Sequence, residues 1–202
     1  MIGSNQKLLM AGATQGPPAT PPDIGDNTGI GTTALPYSYL SGDLIVIHEN
    51  NRTVDAPAPI SGFTTIHAVN DGINGRSMRT SYRIADSAGS DSTPQPAANS
   101  YVLFAVVSNG AGIGAQNTRV VSGTASDQVL PDLSGLKQNS LLLGSCYFMG
   151  TPYSESEPDW DLNKNLLMFS RFNSATSISG VTFQNLSLVP FKNTWAIEVL
   201  SF

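Results

Sequence analysis

An acidic loop in the last third of this 202-residue chain holds the side chains best suited to chemistry. It contains Tyr153, Glu155, Glu157, Asp159, Trp160 and Asp161. Loop carboxylates can converge on Ca²⁺, which prefers oxygen ligands, and an indole can stack on a sugar ring. A carboxylate pair could also hydrolyse a glycoside, with a mechanism set by the pair's separation. The simpler interpretation is a solvated loop whose Trp160 covers one end of the core, since acidic runs are usually solvated.

The remaining chemically active residues carry no recognisable motif. His48 and His67 lie in or beside apolar runs without acidic partners at metal-binding spacing. Cys146 is the only cysteine, which excludes an intrachain disulfide and predicts a buried, inert thiol. The Gly-rich residues 110–114 precede another strand-like run rather than a helix, so we expect a flexible turn and no dinucleotide site. We therefore predict a protein that is not an enzyme and holds no cofactor or metal.

Composition narrows the possible partners. Only 12% of the residues are charged and the formal net charge is -5, so no basic stripe exists to hold nucleic acid. The longest apolar run, residues 101–107, is too short to span a membrane as a helix. The N-terminus lacks the pattern of a secretion signal, which predicts cytoplasmic synthesis. A polar but weakly charged surface favours contacts with other protein subunits or with sugars.

Short apolar runs bounded by turn residues predict an all-β fold. We expect strands at residues 43–48, 63–69, 77–86, 101–108, 118–122, 140–149, 166–172, 181–188 and 195–202. Their spacing is typical of a two-sheet antiparallel β-sandwich, and the length suits a single domain over residues 36–202. The continuously apolar residues 44–47 and 101–107 should be buried on both faces, whereas residues 78–84 alternate and should have one wet face. Residues 130–136 could form one helical turn.

A weak internal echo connects two parts of the chain. Residues 39–46 and 135–143 each contain a leucine, several turn-type residues and then an apolar strand. The echo is compatible with two pseudo-symmetric halves and also with chance recurrence of a common pattern.

Residues 1–35 predict an extended N-terminal arm. Residues 14–35 are dominated by Gly, Pro, Thr and Asp, which excludes a helix. The segment is either a flexible linker or, as we expect, an arm that gains order on a neighbouring subunit. The arm and the residues that follow it, 12–39, are expected to lie on the neighbouring protein, with their main apolar residues as anchors: Ile24, Ile30, Leu35, Tyr37 and Tyr39. Packing of the two tyrosines on their own sandwich remains an alternative.

Four short motifs carry a resemblance to a known family. They are residues 41–46 (SGDLIV), 59–64 (PISGFT), 81–86 (SYRIAD) and 101–106 (YVLFAV). Together they resemble a family of structural proteins of tailed phages and prophages, which implies a β-sandwich of jelly-roll-like form. The chain departs from the family pattern at Phe63, where a tryptophan is frequent, and at Asn109-Gly110, where Arg-Gly is common.

The resemblance implies a role in the virion. Members of the family are capsid decoration or cement proteins, and some are tail or receptor-binding components. The implied partner is the major capsid protein, with the chain a dimer or trimer on the capsid surface after synthesis in the host cytoplasm, and with no nucleic acid or membrane bound. The alternative is a tail or fibre module that recognises host-surface carbohydrate through Trp160 and Tyr153.

Overall fold

The computed structural model describes residues 23–26, 34–51, 53, 55–70, 77–96, 100–121, 125–138, 140–145, 153–155, 161–163, 168–172, 176–189 and 192–201. These residues contain strands and turns but no helix, and every strand pair is antiparallel. The strands are β1 (Asp23–Asp26), β2 (Pro36–Tyr39), β3 (Leu44–Asn51), β4 (Thr64–Val69), β5 (Ser77–Ile84), β6 (Gly89–Ser92), β7 (Tyr101–Val107), β8 (Gly110–Val121), β9 (Ala125–Val129), β10 (Leu133–Ser134), β11 (Leu141–Ser145), β12 (Tyr153–Glu155), β13 (Asp161–Asn163), β14 (Met168–Phe172), β15 (Ser177–Ile178), β16 (Thr182–Val189) and β17 (Lys192–Ser201). The prediction of an all-β, antiparallel protein is confirmed.

Two five-stranded sheets form the centre of the molecule. Sheet I has the strand order β1-β7-β3-β5-β4, and sheet II has the order β13-β14-β11-β17-β8. Sheet I therefore comes entirely from the first half of the chain and sheet II from the second. The jelly-roll expectation is not confirmed, because successive strands stay within one sheet instead of alternating between two.

The two halves of the described chain repeat one strand order. Read from the opposite edge, sheet II is β8-β17-β11-β14-β13, and its members take the same places in chain order as β1, β7, β3, β5 and β4 of sheet I. The pair β2-β6 likewise has a counterpart in β10-β15. Each central strand also follows the same turn, since the Asp43 N–H donates to the Leu40 carbonyl at 3.2 Å and the Ser140 N–H donates to the Lys137 carbonyl at 3.3 Å. The three-strand sheet β12-β16-β9 belongs to the second half alone.

One apolar core lies between the sheets, as in a sandwich. Sheet I contributes Leu44, Val46, Met78, Tyr101, Leu103, Ala105 and Val107, and sheet II contributes Leu141, Leu143, Trp195, Ile197 and Val199. These residues alternate along their strands, because successive side chains of a strand point to opposite faces.

The outer face of each sheet is covered as well. Over sheet I, Tyr37 packs on Ile45, Ile47 and Phe104, with Leu35 among the partly buried neighbours. Over sheet II, residues from the β10 and β15 regions pack on Leu142 and Ala196. Burial on both faces explains why β7 is buried at every position, as its continuous apolar run predicts.

Three local predictions are wrong. Residues 110–114 begin strand β8 and are not a flexible turn, and a Cβ at Gly110 or Gly114 would collide with the side chain of Leu44 or Glu198. Residues 130–136 contain the short strand β10 rather than a helical turn. Strand β5 has no regular wet face, because Ser81 is buried and Arg83 lies beneath aromatic rings.

The expected N-terminal arm is corrected where the structure describes it. Strand β1 pairs with β7 of its own chain, with Ile24 opposite Ala105. An added edge strand satisfies backbone groups of β7 that would otherwise face solvent. Residues 23–26 thus belong to sheet I instead of reaching another subunit.

Candidate functional site

The acidic loop divides between two sheets. Tyr153 and Glu155 lie in β12, which pairs with β16, whereas Asp161 lies in β13 at the edge of sheet II. Glu157, Asp159 and Trp160 lie outside the described residues. The calcium, sugar-stacking and hydrolytic interpretations of this loop therefore stay predictions.

The expected arm anchors mostly lie on the chain's own sheet. Tyr37 is 4% exposed and packs in the outer cluster of sheet I, with Leu35 and Tyr39 partly buried against it. This is the packing alternative left open by the sequence. Ile24 is in β1, and Ile30 lies outside the described residues. Leu35, Tyr37 and Tyr39 thus pack on the fold, and a partner could meet only the exposed parts of Leu35 and Tyr39.

An aromatic–arginine cluster, formed by Tyr37, Tyr39, Phe63, Arg83 and Asp91, lies on the outer face of sheet I. The Arg83 guanidinium carbon is 4.8 Å from the Tyr39 ring centroid and 5.2 Å from that of Phe63. Its Nη2 lies 3.5 Å from the Asp91 carboxylate. A guanidinium over aromatic faces is held by cation–π attraction. The cluster joins β2, β5, β6 and the turn before β4.

The pKa of the Tyr37 hydroxyl reflects the burial of this cluster. Burial raises its pKa above the usual value, and the negative charge of Asp91 raises it further, while Arg83 opposes both. The Nε and Nη2 atoms of Arg83 are buried, and Nη2 is held by its ion pair with Asp91. Because a ligand cannot reach these buried atoms, we interpret the cluster as a clamp that holds β2 and the Phe63 turn on sheet I.

An apolar end patch, formed by Leu40 and Ile84, is the clearest exposed apolar feature of sheet I. Leu40 is 66% exposed and Ile84 is 38% exposed. The Gly42 N–H donates to the Ala85 carbonyl at 2.8 Å, which places the turn carrying Leu40 beside the end of β5. The Asp43 carboxylate accepts the Leu40 N–H at 2.7 Å, and this bond fixes the turn. Sequence analysis did not single out this patch.

A histidine cluster, formed by His48, His67 and Thr80, lies at one end of the core. The Thr80 hydroxyl is 2.9 Å from Nδ1 of His48 and 2.7 Å from Nε2 of His67. The ring of His48 also lies 5.1 Å from that of Trp195 in sheet II. Burial lowers the pKa of His48 well below its usual value, with a further decrease from His67, and burial lowers the pKa of His67 to about 4.

Glu49 is the most perturbed acid among the described residues. It follows His48 in β3 and by strand alternation faces the outside of sheet I. Burial raises its pKa to about 7, against a smaller opposing effect of Arg79. Its Oε2 has no hydrogen-bond partner among the described residues, because Arg79 instead donates to the Pro57 carbonyl and the Thr65 hydroxyl.

These groups do not form an accessible catalytic centre. Thr80 lies between two potential bases in the manner of an activated nucleophile, but it is 0% exposed and no substrate could reach it. Within the described part of the chain, no three His, Cys, Asp or Glu residues are grouped to hold a metal ion. Among the described residues, a partner could reach the apolar end patch, Val120 of β8 and the rim of the aromatic–arginine cluster.

Comparisons with models of protein families, with curated proteins and with solved structures found no match to this chain. The described residues also include no helix long and apolar enough to cross a membrane.

Proposed function

We propose that the protein is a structural component of a tailed-bacteriophage particle, which decorates the capsid exterior and stabilises it by bridging capsid subunits. The observation that carries the proposal is the spatial contact of its four phage-like motifs. Residues 41–46, 59–64, 81–86 and 101–106 lie far apart in the chain and meet within sheet I and its outer cover.

Each motif touches another through a specific contact. The turn of the first motif hydrogen-bonds Ala85 of the third through Gly42 and Asp43. Phe63 of the second packs on Arg83 of the third, and β3 pairs with β7, which contains the fourth. The four motifs thus belong to one folded unit, as the proposed resemblance of residues 36–110 requires.

The apolar end patch is the proposed contact with the capsid. Residues 23–26 belong to sheet I, so the bridging contact is assigned to the surface of the domain rather than to them. A leucine two-thirds exposed on a hydrogen-bonded turn offers apolar area without the entropy cost of ordering a loop. Leu40 is the most exposed of the large apolar side chains in the described part of the chain, which is why the contact is assigned to it.

Binding to particles tests the proposal. Particles of the encoding phage are prepared without this protein, and purified full-length protein is added back and sedimented with them. We expect saturable binding that Leu40→Asp weakens by at least about tenfold, since central contacts of an interface carry most of its affinity. Val120→Asp, at an exposed valine of sheet II, is the matched control and should bind normally. Equal binding by wild type and Leu40→Asp would refute the proposed contact, and no binding at all would refute capsid decoration.

The receptor-binding alternative predicts a different result. Saturable binding to a glycan array, abolished by Trp160→Ala, would favour a tail or fibre module. Retention of capsid binding by the same variant would instead favour decoration.

A further inference from the structure

The two halves of the chain carry different residue types at the positions of the histidine cluster. By strand register, the positions that correspond to His48, Thr80 and His67 in sheet II are Ser145, Met168 and Asn163. The central strands otherwise present the same apolar pattern to the core, with Leu44 and Val46 matching Leu141 and Leu143. The fold therefore does not need imidazoles at these places, and a separate reason for them must be sought.

The hydrogen-bond chain of the cluster depends on neutral rings. The Thr80 hydroxyl has one proton to donate and lies within hydrogen-bond distance of a nitrogen of both histidines. When one neutral ring accepts that proton, the other can donate its own N–H to the hydroxyl oxygen. Protonation of the accepting ring turns it into a second donor and leaves the Thr80 proton without this acceptor.

The location makes a positive charge costly. His48 is 1% exposed, and its ring lies against Trp195, a fully buried residue of the opposite sheet. His67 is partly buried and lies 6.0 Å from the same indole, ring centre to ring centre. An unpaired charge is strongly unfavourable at His48 and less so at His67.

The groups around these rings are polar but uncharged. The same side of sheet I carries Asn50 of β3 and Tyr101 of β7, whose ring is 6.1 Å from His48. Ser145 of β11 pairs with Trp195 on sheet II. The nearest charged groups in sequence, Glu49 and Arg79, are opposite each other in register and by alternation face the other side of sheet I. Among the described residues, no carboxylate is hydrogen-bonded to either histidine.

We propose that the histidine cluster is an acid-sensitive joint between the two sheets, in which protonation of His48 and His67 breaks the chain through Thr80 and loosens sheet I from Trp195. The lowered pKa values agree with this geometry. The direction of the pH effect on stability follows from linkage. Well above pH 6.5 the histidines are neutral in both the folded and the unfolded chain, so their ionisation does not change the free energy of unfolding. As the pH falls from about 6.5 toward 4, the unfolded chain takes up protons that the folded chain refuses, and stability is lost.

Glu49 changes stability with pH in the opposite direction, so its contribution must be removed before that of the histidines is measured. Its raised pKa means that the folded chain gains a proton more readily than the unfolded chain as the pH falls from about 7 to 4.5. Glu49→Gln removes this contribution and leaves the histidine cluster on the other face intact.

The experiment measures the folding equilibrium constant of the full-length protein by urea denaturation between pH 7.5 and 4.5. It compares Glu49→Gln with the same chain that also carries His48→Gln and His67→Gln. We expect the constant of the histidine-containing protein to fall on the order of tenfold for each histidine and each pH unit below 6.5, in excess of the double-histidine variant. Parallel pH dependence in the two proteins would overturn the proposal.

A second measurement serves if the histidine variants do not fold. His48 and His67 are the only histidines in the chain, so nuclear magnetic resonance of imidazole-labelled wild-type protein reports on both directly. We expect both rings to remain neutral at pH 5.5 in the folded protein, with loss of the folded spectrum as the pH is lowered further. Reversible protonation of both rings near pH 6.5 without loss of structure would refute the joint.

Discussion

Glu49 and Glu198 are both glutamates on strands of the two main sheets, but their surroundings differ. Glu198 is 1% exposed, and its carboxylate accepts the N–H groups of Ala115 at 3.0 Å and Lys137 at 2.5 Å. Glu49 has one buried oxygen without a partner among the described residues. A buried carboxylate stabilises the folded state when hydrogen bonds compensate for its lost hydration, and destabilises it when they do not.

Replacement of Glu49 by Gln should stabilise the protein at neutral and higher pH. The wild-type carboxyl has its pKa raised to about 7, so its ionisation at higher pH costs stability that is retained below pH 4.5. After allowance for its partial exposure to water, we expect a gain of about 1 to 2 kcal/mol at pH 8. Urea denaturation at pH 8 and pH 4 checks this, and equal gains at both pH values would contradict the electrostatic explanation.

Replacement of Glu198 by Gln should have the opposite effect. A glutamine presents an NH₂ group to one of two backbone donors, which leaves that partly buried N–H without this acceptor. We expect a loss of about 1 to 3 kcal/mol in the free energy of unfolding. The measurement is urea denaturation at pH 7, and an unchanged midpoint would show that the two N–H groups find other partners.

At the residue scale, sequence reasoning found little of this. Positions 48, 67 and 80 have no motif spacing, because their contact depends on the register of three strands. Composition favours Tyr37 and Tyr39 as partner anchors, because it cannot show that sheet I has an apolar outer face for them to cover.

At the scale of elements, strong apolar runs were predicted well and short strands were missed. The run at residues 101–107 became β7 with the same start, because seven successive apolar residues have few alternatives. Strands β2, β6, β10 and β15 have two to four residues each, too few to show a periodic pattern. Clustered glycines such as those of β8 predict a turn from sequence alone. Their actual role, to leave room for the side chains of Leu44 and Glu198, depends on contacts that exist only in the folded molecule.

The turn before β3 should depend on glycine at position 42. Gly42 has a φ of 86°, a conformation that other residues adopt at a cost, and a Cβ there would meet no atom within 4 Å. Gly42→Ala should therefore lose about 1 to 2 kcal/mol from backbone strain alone. Thermal unfolding measures the loss. Gly62→Ala, with a φ of 77° and equally open surroundings, is the matched variant and should cost a similar amount; a loss at only one site would contradict the backbone explanation.

Strand β1 predicts a sharp boundary for truncation. Deletion of residues 1–22 leaves β1 in place, whereas deletion of residues 1–26 exposes the β7 edge. We expect the longer deletion to speed hydrogen exchange of the amides of β7 that pair with β1, because lost pairing opens local structure. Similar exchange in the two truncated proteins would mean that β1 contributes no protection.

At the scale of the whole molecule, the repeated strand order was only hinted at in the sequence. The echo between residues 39–46 and 135–143 marks the turn before each central strand, and the structure gives both turns the same hydrogen bond. The rest of the correspondence lies in the order in which the strands pair, and the side chains of the two halves are too different to reveal it from sequence. Two similar halves that share one core explain how a weakly charged chain can bury apolar residues on both faces of both sheets.

The most direct test of the proposed function is the location of the protein on the particle. Electron cryomicroscopy would compare particles of the encoding phage with particles that lack this protein. We expect additional density on the outer capsid surface, at sites that bridge neighbouring capsid subunits, which disappears without the protein. Density at the tail or fibres, or identical maps of the two particles, would contradict capsid decoration.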